Sequence, residues 1–352
     1  MSIPENEDRQ PLGAVIVGAG DMGARHAQWW AAAGARVVAV VDPDRVRAQR
    51  VAAGFGALAL DELGTALDRA DVDVASVCTP TYLHARYTVA ALTAGKNVLC
   101  EKPAALRLSE AEAMGRAAEE SGKLLRIGFM RRFDPASHQI LAFGRQIGGP
   151  VLATATLAAG IRPKLLMHDA AANGGPIIDM CCHIFDQWEA FFGEQPDSVR
   201  AYGYTFGEGK RELAHIEHKA VDSAHITLRY PGGGVGQILV SWGLPSGIPA
   251  TERHTYMGPD GLITAAWPER VELLTSQGTL RWEPPASDPW QQEIASFHRE
   301  LRGLEHRPLA TIDDGVRALR TSLAVLTSIA EDREVAPAEV HGDLPPLQGE
   351  AA

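Results

Sequence analysis

The sequence predicts a two-part α/β protein. A parallel, doubly wound sheet forms the first part, and an α/β unit with an open, mostly antiparallel sheet forms the second. Three observations carry that expectation. Short apolar runs alternate with alanine-rich helical stretches through the first third. After about Phe133 the pattern changes to longer strand-like segments separated by Gly- and Pro-rich turns. The length, 352 residues, favours two domains over one or three.

The apolar runs of the first part cover residues 14–17, 37–41, 72–78, 97–100 and 124–129, and helical stretches cover 22–33, 45–53, 82–94 and 110–120. Runs without polar alternation suit strands covered on both faces, and the intervening helices supply the crossovers of βαβ units. Gly34, Gly95 and Gly122 each follow a helical stretch, as helix stop signals do. Ser109 with Glu112 three residues on reads as a capping box. In the second part, strands are expected at 151–157, 223–230, 236–242 and 262–266, and helices at 177–192, 290–301 and 313–329. Residues 1–10 and 337–352 read as loose tails.

Composition excludes several functions. Apolar residues make up 45% of the chain, normal for a protein with a substantial core. The net charge of -11, with no basic stripe to offset it, argues against nucleic acid. No apolar run approaches the ~20 residues that span a bilayer, and the polar, acidic start is no signal peptide. Cys78, Cys100, Cys181 and Cys182 form no disulfide framework, so a cytoplasmic setting is expected. Cys181-Cys182-His183 lacks a second ligand cluster, so no metal site is expected.

The strongest local motif is Gly18-Ala19-Gly20-Asp21-Met22-Gly23. It directly follows a predicted strand and opens a predicted helix, the context in which a glycine turn cradles a dinucleotide pyrophosphate. The first part is therefore expected to be a Rossmann dinucleotide-binding domain, residues 11–132, and the second, 133–336, the substrate-binding and oligomerisation domain. Asp42 ends the second apolar run about 20 residues past the turn, where an acid hydrogen-bonds the adenosine ribose. Its charge repels a 2′-phosphate, so NAD is favoured over NADP; the nearby Arg45 softens that preference. The alternative is that Asp42 caps the next helix. Thr79, Pro80 and His84 follow a strand end and are expected near the cofactor, with an ordinary helix histidine as the alternative for His84.

Glu101-Lys102-Pro103 follows the next strand, on the same side of the sheet. Lys102 there would hydrogen-bond a reacting hydroxyl and stabilise a developing alkoxide; the alternative is a surface lysine. Asp179 and His183 are four apart in an expected helix starting near Pro176, hence on one face. Such a pair suits a general base for alcohol oxidation, and it equally suits a packed helix with satisfied polar groups.

Together these residues resemble the glucose–fructose oxidoreductase / inositol 2-dehydrogenase / rhizopine-catabolism (Gfo/Idh/MocA) family. The matching stretches are 18–23 with His26, Asp42, Thr79-Pro80 with Leu83-His84, 97–103, 128–134 and 174–186, in family order over more than half the chain. The resemblance implies a nicotinamide cofactor bound at Gly18 to Gly23 and Asp42, with Glu101, Lys102 and Arg131 alongside. It implies a catalytic set of Lys102, Asp179 and His183. Arg131, His168 and Trp290 join these as substrate-facing candidates. The implied activity is a dehydrogenase acting on CH–OH donors of a sugar or inositol-like cyclic polyol, in a homodimer or homotetramer. An NADP-dependent reductase of the same fold and a non-catalytic dinucleotide-binding regulator are the alternatives. Two departures leave the substrate open. Cys181 stands where many relatives have glycine, and residues 157–162, Leu-Ala-Ala-Gly-Ile-Arg, replace the His-Arg-Asn stretch of inositol dehydrogenases.

Overall fold

Alternate residues of the first strands pack into two different cores, which requires helices on both faces of their sheet. Val15, Val38 and Val98 face one core; Ile16, Val40 and Leu99 face the other. The computed structural model describes residues 10–342. Its first half runs β1 (Gly13–Val17), α1 (Asp21–Ala32), β2 (Arg36–Val41), α2 (Arg45–Ala53), β3 (Leu58–Leu60), α3 (Leu63–Leu67), β4 (Val74–Val77), α4 (His84–Thr93), β5 (Asn97–Glu101), α5 (Leu108–Ser121) and β6 (Leu125–Gly128). The strand order is β3-β2-β1-β4-β5-β6 and every pairing is parallel. The order reverses between β1 and β4, so the crevice at their carboxyl ends is where such a sheet binds ligands.

The second half runs α6 (Pro135–Gly144), β7 (Leu152–Gly160), α7 (Gly175–Asp179), α8 (Cys181–Phe192), β8 (Ser198–Tyr204), β9 (Ser223–Arg229), β10 (Val235–Leu244), β11 (Thr251–Gly258), β12 (Gly261–Ala266), β13 (Arg270–Thr275), β14 (Gly278–Trp282), α9 (Pro289–Leu301) and α10 (Ile312–Glu331). Its eight strands are ordered β14-β13-β12-β11-β7-β10-β9-β8. Only the β7–β10 pair is parallel. One face is buried through Ala155, Leu157, Ile226, Ile238, Val240, Tyr256, Ile263 and Leu273. The other carries exposed Leu152, Leu239 and Met257. Helix α9 returns to the first half. Trp30 of α1 meets Phe297 edge-on at 6.1 Å, and Trp29 donates to Asp288 at 2.9 Å.

Several local expectations change. The helix expected over 177–192 is two helices broken at Met180, so Asp179 ends one and His183 lies in the next. Arg107 occupies the N-cap of α5, which places Ser109 inside the first turn rather than at a capping box. Strands β3, β8, β11, β13 and β14 and helices α3 and α6 are additional. Residues 337–342, expected to be loose, hold a 3₁₀ turn at Pro337–Glu339 and pack Val340 into the core. The rest of both expected tails, 1–9 and 343–352, lies outside the described residues. No helix among the described residues is long and apolar enough to cross a membrane.

Candidate active site

The glycine turn connects β1 to α1 with no side-chain cap on the helix. Gly18 has a φ of 99°. A Cβ on Gly23 would lie 1.8 Å from the Gly18 carbonyl oxygen, so helix and turn approach as closely as only glycine permits. A Cβ on Gly20, by contrast, would meet nothing within 4 Å: it would project into open space in front of the helix. The leading N–H groups of α1 have no intrahelical partner, which with the helix dipole makes an anion site. Ala19 is buried and donates its N–H to Asp42 Oδ2 at 2.7 Å; Asp42 Oδ1 accepts from the Asp44 N–H at 2.9 Å. Asp44, not Asp42, caps α2 through the N–H groups of Val46 and Arg47. A carboxylate offers about four lone-pair sites, so Asp42 keeps acceptor capacity beyond the turn. Thr79 Oγ1, at the end of β4, is buried without a partner. An uncrowded glycine cradle and an orphaned hydroxyl fit a dinucleotide. Asp21 is exposed and pairs with Lys164 at 3.0 Å, while Met22 packs against the core. Arg45 is exposed, 3.9 Å from Asp61.

Beside the turn, His84 opens α4 and is buried. Its Nδ1 lies 2.8 Å from the Pro103 carbonyl and its Nε2 2.9 Å from that of Thr79. Two carbonyl acceptors require two N–H donors. Burial opposes that charge, but the Cys100 side chain and the two carbonyls outweigh it and lift the imidazole to about 9. The residue expected to face the cofactor is therefore spent tying the Thr79-Pro80 turn to the Lys102-Pro103 turn. Glu101 is likewise turned inward: Oε1 lies 2.9 Å from His26 Nε2, and Oε2 accepts from the Lys102 N–H at 3.2 Å. His26 Nδ1 reaches Ser76 Oγ at 2.8 Å, and the Trp30 N–H donates to the same hydroxyl at 3.0 Å. Glu101 thus braces the backbone of Lys102 from below rather than meeting a ligand.

Lys102 leaves β5 and meets the α7–α8 junction. Its ammonium pairs with the Asp179 carboxylate and donates to the Asp179 carbonyl at 3.0 Å. Burial works against the charge, yet Asp179 holds the amine above its ordinary value, so Lys102 is cationic at neutral pH. Asp179 is itself buried; its other oxygen accepts from Asn173 Nδ2 at 2.9 Å. His183 is buried against Phe129, ring centroids 6.0 Å apart, with Nδ1 unpartnered. Burial, then the charges of Lys102 and Arg131, push it well below the ordinary histidine range, so it is neutral. Asp179 and His183 thus remain together beside Lys102 despite the helix break. Cys182 donates to the Asp179 carbonyl at 3.1 Å, and burial pushes its thiol up to about 12.

The chain has relatives of known sequence and structure. Residues 12–129 match the model of an oxidoreductase family with an NAD-binding Rossmann fold, and residues 143–281 match the GFO/IDH/MocA C-terminal domain. An inositol 2-dehydrogenase of Rhizobium meliloti is 30% identical over 343 residues, covering 91% of this chain and 97% of the relative. The chain belongs to the GFO/IDH/MocA oxidoreductase family. An oxidoreductase domain protein from Kribbella flavida shares the fold with a TM-score of 0.81 at 24% identity, covering 93% of this chain and 99% of that one. GenD2 from gentamicin A biosynthesis, solved with NAD, superposes with a TM-score of 0.78 at 26% identity, covering 93% and 97%. The protein is an NAD-binding oxidoreductase.

Two candidates suggested by the GFO/IDH/MocA resemblance, Arg131 and Trp290, sit differently from expectation. Arg131 is buried in a bidentate pair with Glu252 of β11, 2.6 and 2.8 Å, and lies over the Trp267 ring at 4.9 Å. Its guanidinium joins the two halves, and its charge acts on His183. Trp290 stacks on Trp29 at 6.0 Å. Trp29 lies eight residues, roughly 12 Å of helix, beyond Asp21, which makes Trp290 a packing residue remote from the cleft. His168 is buried; its Nε2 accepts from the Arg162 N–H at 2.9 Å and its Nδ1 is unpartnered. Asn173, His26 and Ser76 are functional neighbours that sequence reasoning did not single out for a role. His26 carried one signal, its place in the motif that opens at Gly18.

Proposed function

We propose that this oxidoreductase uses NAD to oxidise a secondary alcohol of a cyclic polyol or sugar. The observation that carries the reading is a cationic Lys102, held by Asp179, next to a neutral His183 at the carboxyl edge of the parallel sheet. NAD, when bound, supplies the hydride acceptor. Gly18, Gly20, Gly23 and the start of α1 would hold its pyrophosphate, and Asp42 its adenosine ribose, where a 2′-phosphate would be repelled.

Lys102 commits N–H donors to the Asp179 carbonyl and carboxylate, and an ammonium has three. The donor left over is free for a substrate oxygen, whose developing negative charge the ammonium stabilises. His183 begins each turnover neutral, and its orphaned Nδ1 is a buried atom in want of a hydrogen bond. It takes the hydroxyl proton. The inositol 2-dehydrogenase relative favours a cyclic polyol as substrate. The exposed apolar residues of the second sheet support a homodimer or homotetramer formed through that face.

The test is NADH formation by the purified protein over a panel of inositols and sugars, repeated with NADP and with Asp42→Ser. At least one cyclic polyol or sugar should be oxidised, with kcat/KM higher for NAD, and the substitution should narrow that preference. No turnover across the panel overturns the substrate class; an NADP preference overturns the role of Asp42.

A further inference from the structure

We propose that Asn173 is a positioning residue of this site: it fixes the plane of the Asp179 carboxylate so that Lys102 stays aimed at the substrate. The inference rests on the reading of Lys102 given above. Asn173 Nδ2 donates to Asp179 Oδ2 at 2.9 Å, while Lys102 holds Oδ1. Asn173 Oδ1 accepts from Thr81 Oγ1 at 3.2 Å. The amide orientation is forced, because a carboxylate only accepts and the nitrogen must face it. Thr81 is buried in the turn after Thr79-Pro80, so the far end of the amide is anchored in the first half of the molecule.

The backbone around Asn173 is built to present it. Asp169 Oδ1 accepts the N–H groups of Ala171 and Ala172 at 2.8 and 3.3 Å, and the Asp169 carbonyl accepts those of Asn173 and Gly174 at 3.0 and 3.1 Å. The Tyr82 N–H donates to the Ala172 carbonyl at 3.3 Å, fixing the same loop to the first half. Gly174 and Gly175 then turn the chain, with φ of 80° and 70°, into α7, which ends at Asp179. A carboxylate bound at one oxygen still rotates about its Cβ–Cγ bond. Bound at both, it does not. Without the amide donor, Oδ2 becomes a buried acceptor lacking a partner, and the carboxylate turns to find one. Asn173 touches no reacting atom; it acts through Asp179.

Asn173→Ala removes the donor. Asn173→Asp keeps the size and the acceptor for Thr81 but sets a like charge against Asp179. Both should lower kcat roughly 10- to 100-fold, the size expected for a lost hydrogen bond to a charged group, with the NADH Kd unchanged. Thr81→Val, which unanchors the amide without removing it, should give a smaller loss. A second readout needs no substrate: the rate at which Lys102 is reductively methylated relative to Lys123, followed by peptide mass spectrometry. It should rise several-fold in Asn173→Ala, because an amine less firmly held by Asp179 is more accessible and is more often in the neutral form that reacts. If Asn173→Ala keeps kcat within twofold and Lys102 is methylated at the wild-type rate, the proposal is overturned. Faster methylation in a protein whose wild type oxidises nothing in the panel upholds the positioning role and overturns the substrate assignment instead.

Discussion

Glu293 on α9 is buried with neither carboxylate oxygen hydrogen-bonded. Burial, and then the charge of Glu101, push its carboxyl well above the ordinary range; Arg132 offsets this only in part. The folded protein therefore holds a proton there that the unfolded chain releases above its own pKa, about 4.3. Because the folded state binds more protons, stability falls as pH rises through that interval. Glu293→Gln removes the cost, so its Tm should exceed wild type at pH 8 by a margin that shrinks toward pH 5. A pH-independent margin, measured by thermal unfolding, contradicts the assignment. Residues such as Glu293 and Asn173 mark the limit of reading the site from the chain. Lys102, Asp179 and His183 could be grouped from the chain because Lys102 follows a strand end and Asp179 and His183 lie four residues apart. Asn173 could not, since its role depends on Thr81, 92 positions away. Arg131 was misjudged for the same reason: Glu252, which claims it, is 121 positions distant.

At the scale of elements, the first sheet was readable and much of the second was not. Strands β1, β2, β4 and β5 are buried on both faces and appear as largely apolar runs without polar alternation. Strand β11 places His254 and Tyr256 inward and Arg253, Thr255 and Met257 outward, so its sequence is mixed and resembles a loop. Strands β8 and β14 suffer similarly at the sheet edges. The break at Met180 has no proline or interior glycine to announce it. The glycine turn was fully legible, and its glycines differ in a testable way. Gly23→Ala should destabilise the fold, because its Cβ would collide with the Gly18 carbonyl. Gly20→Ala should keep the wild-type Tm yet weaken NADH binding at least tenfold, because its methyl projects into the open space of the phosphate cradle. Thermal unfolding and fluorescence titration separate the two; equal effects on Tm would refute the distinction.

Across the whole molecule, the second sheet presents Leu152 directly paired with Met257, with Leu239 exposed on the neighbouring strand β10. An apolar face of that kind on an eight-stranded sheet suits a second copy of the chain. Leu152→Glu should convert the oligomer to monomer by light scattering without changing the circular dichroism spectrum; a wild type already monomeric at micromolar concentration contradicts the assembly. The two halves are joined by Arg131–Glu252 and by α9, and they bring Lys102 of one against Asp179 and His183 of the other. The central claim is that oxidation occurs at that junction. The most direct test is the turnover of His183→Ala with the best polyol at neutral pH, beside its NADH affinity. A general base contributes about 10²–10⁴-fold, so kcat should fall by that factor while the NADH Kd stays near wild type. Near-wild-type turnover in both His183→Ala and Lys102→Ala would place the chemistry elsewhere in the cleft.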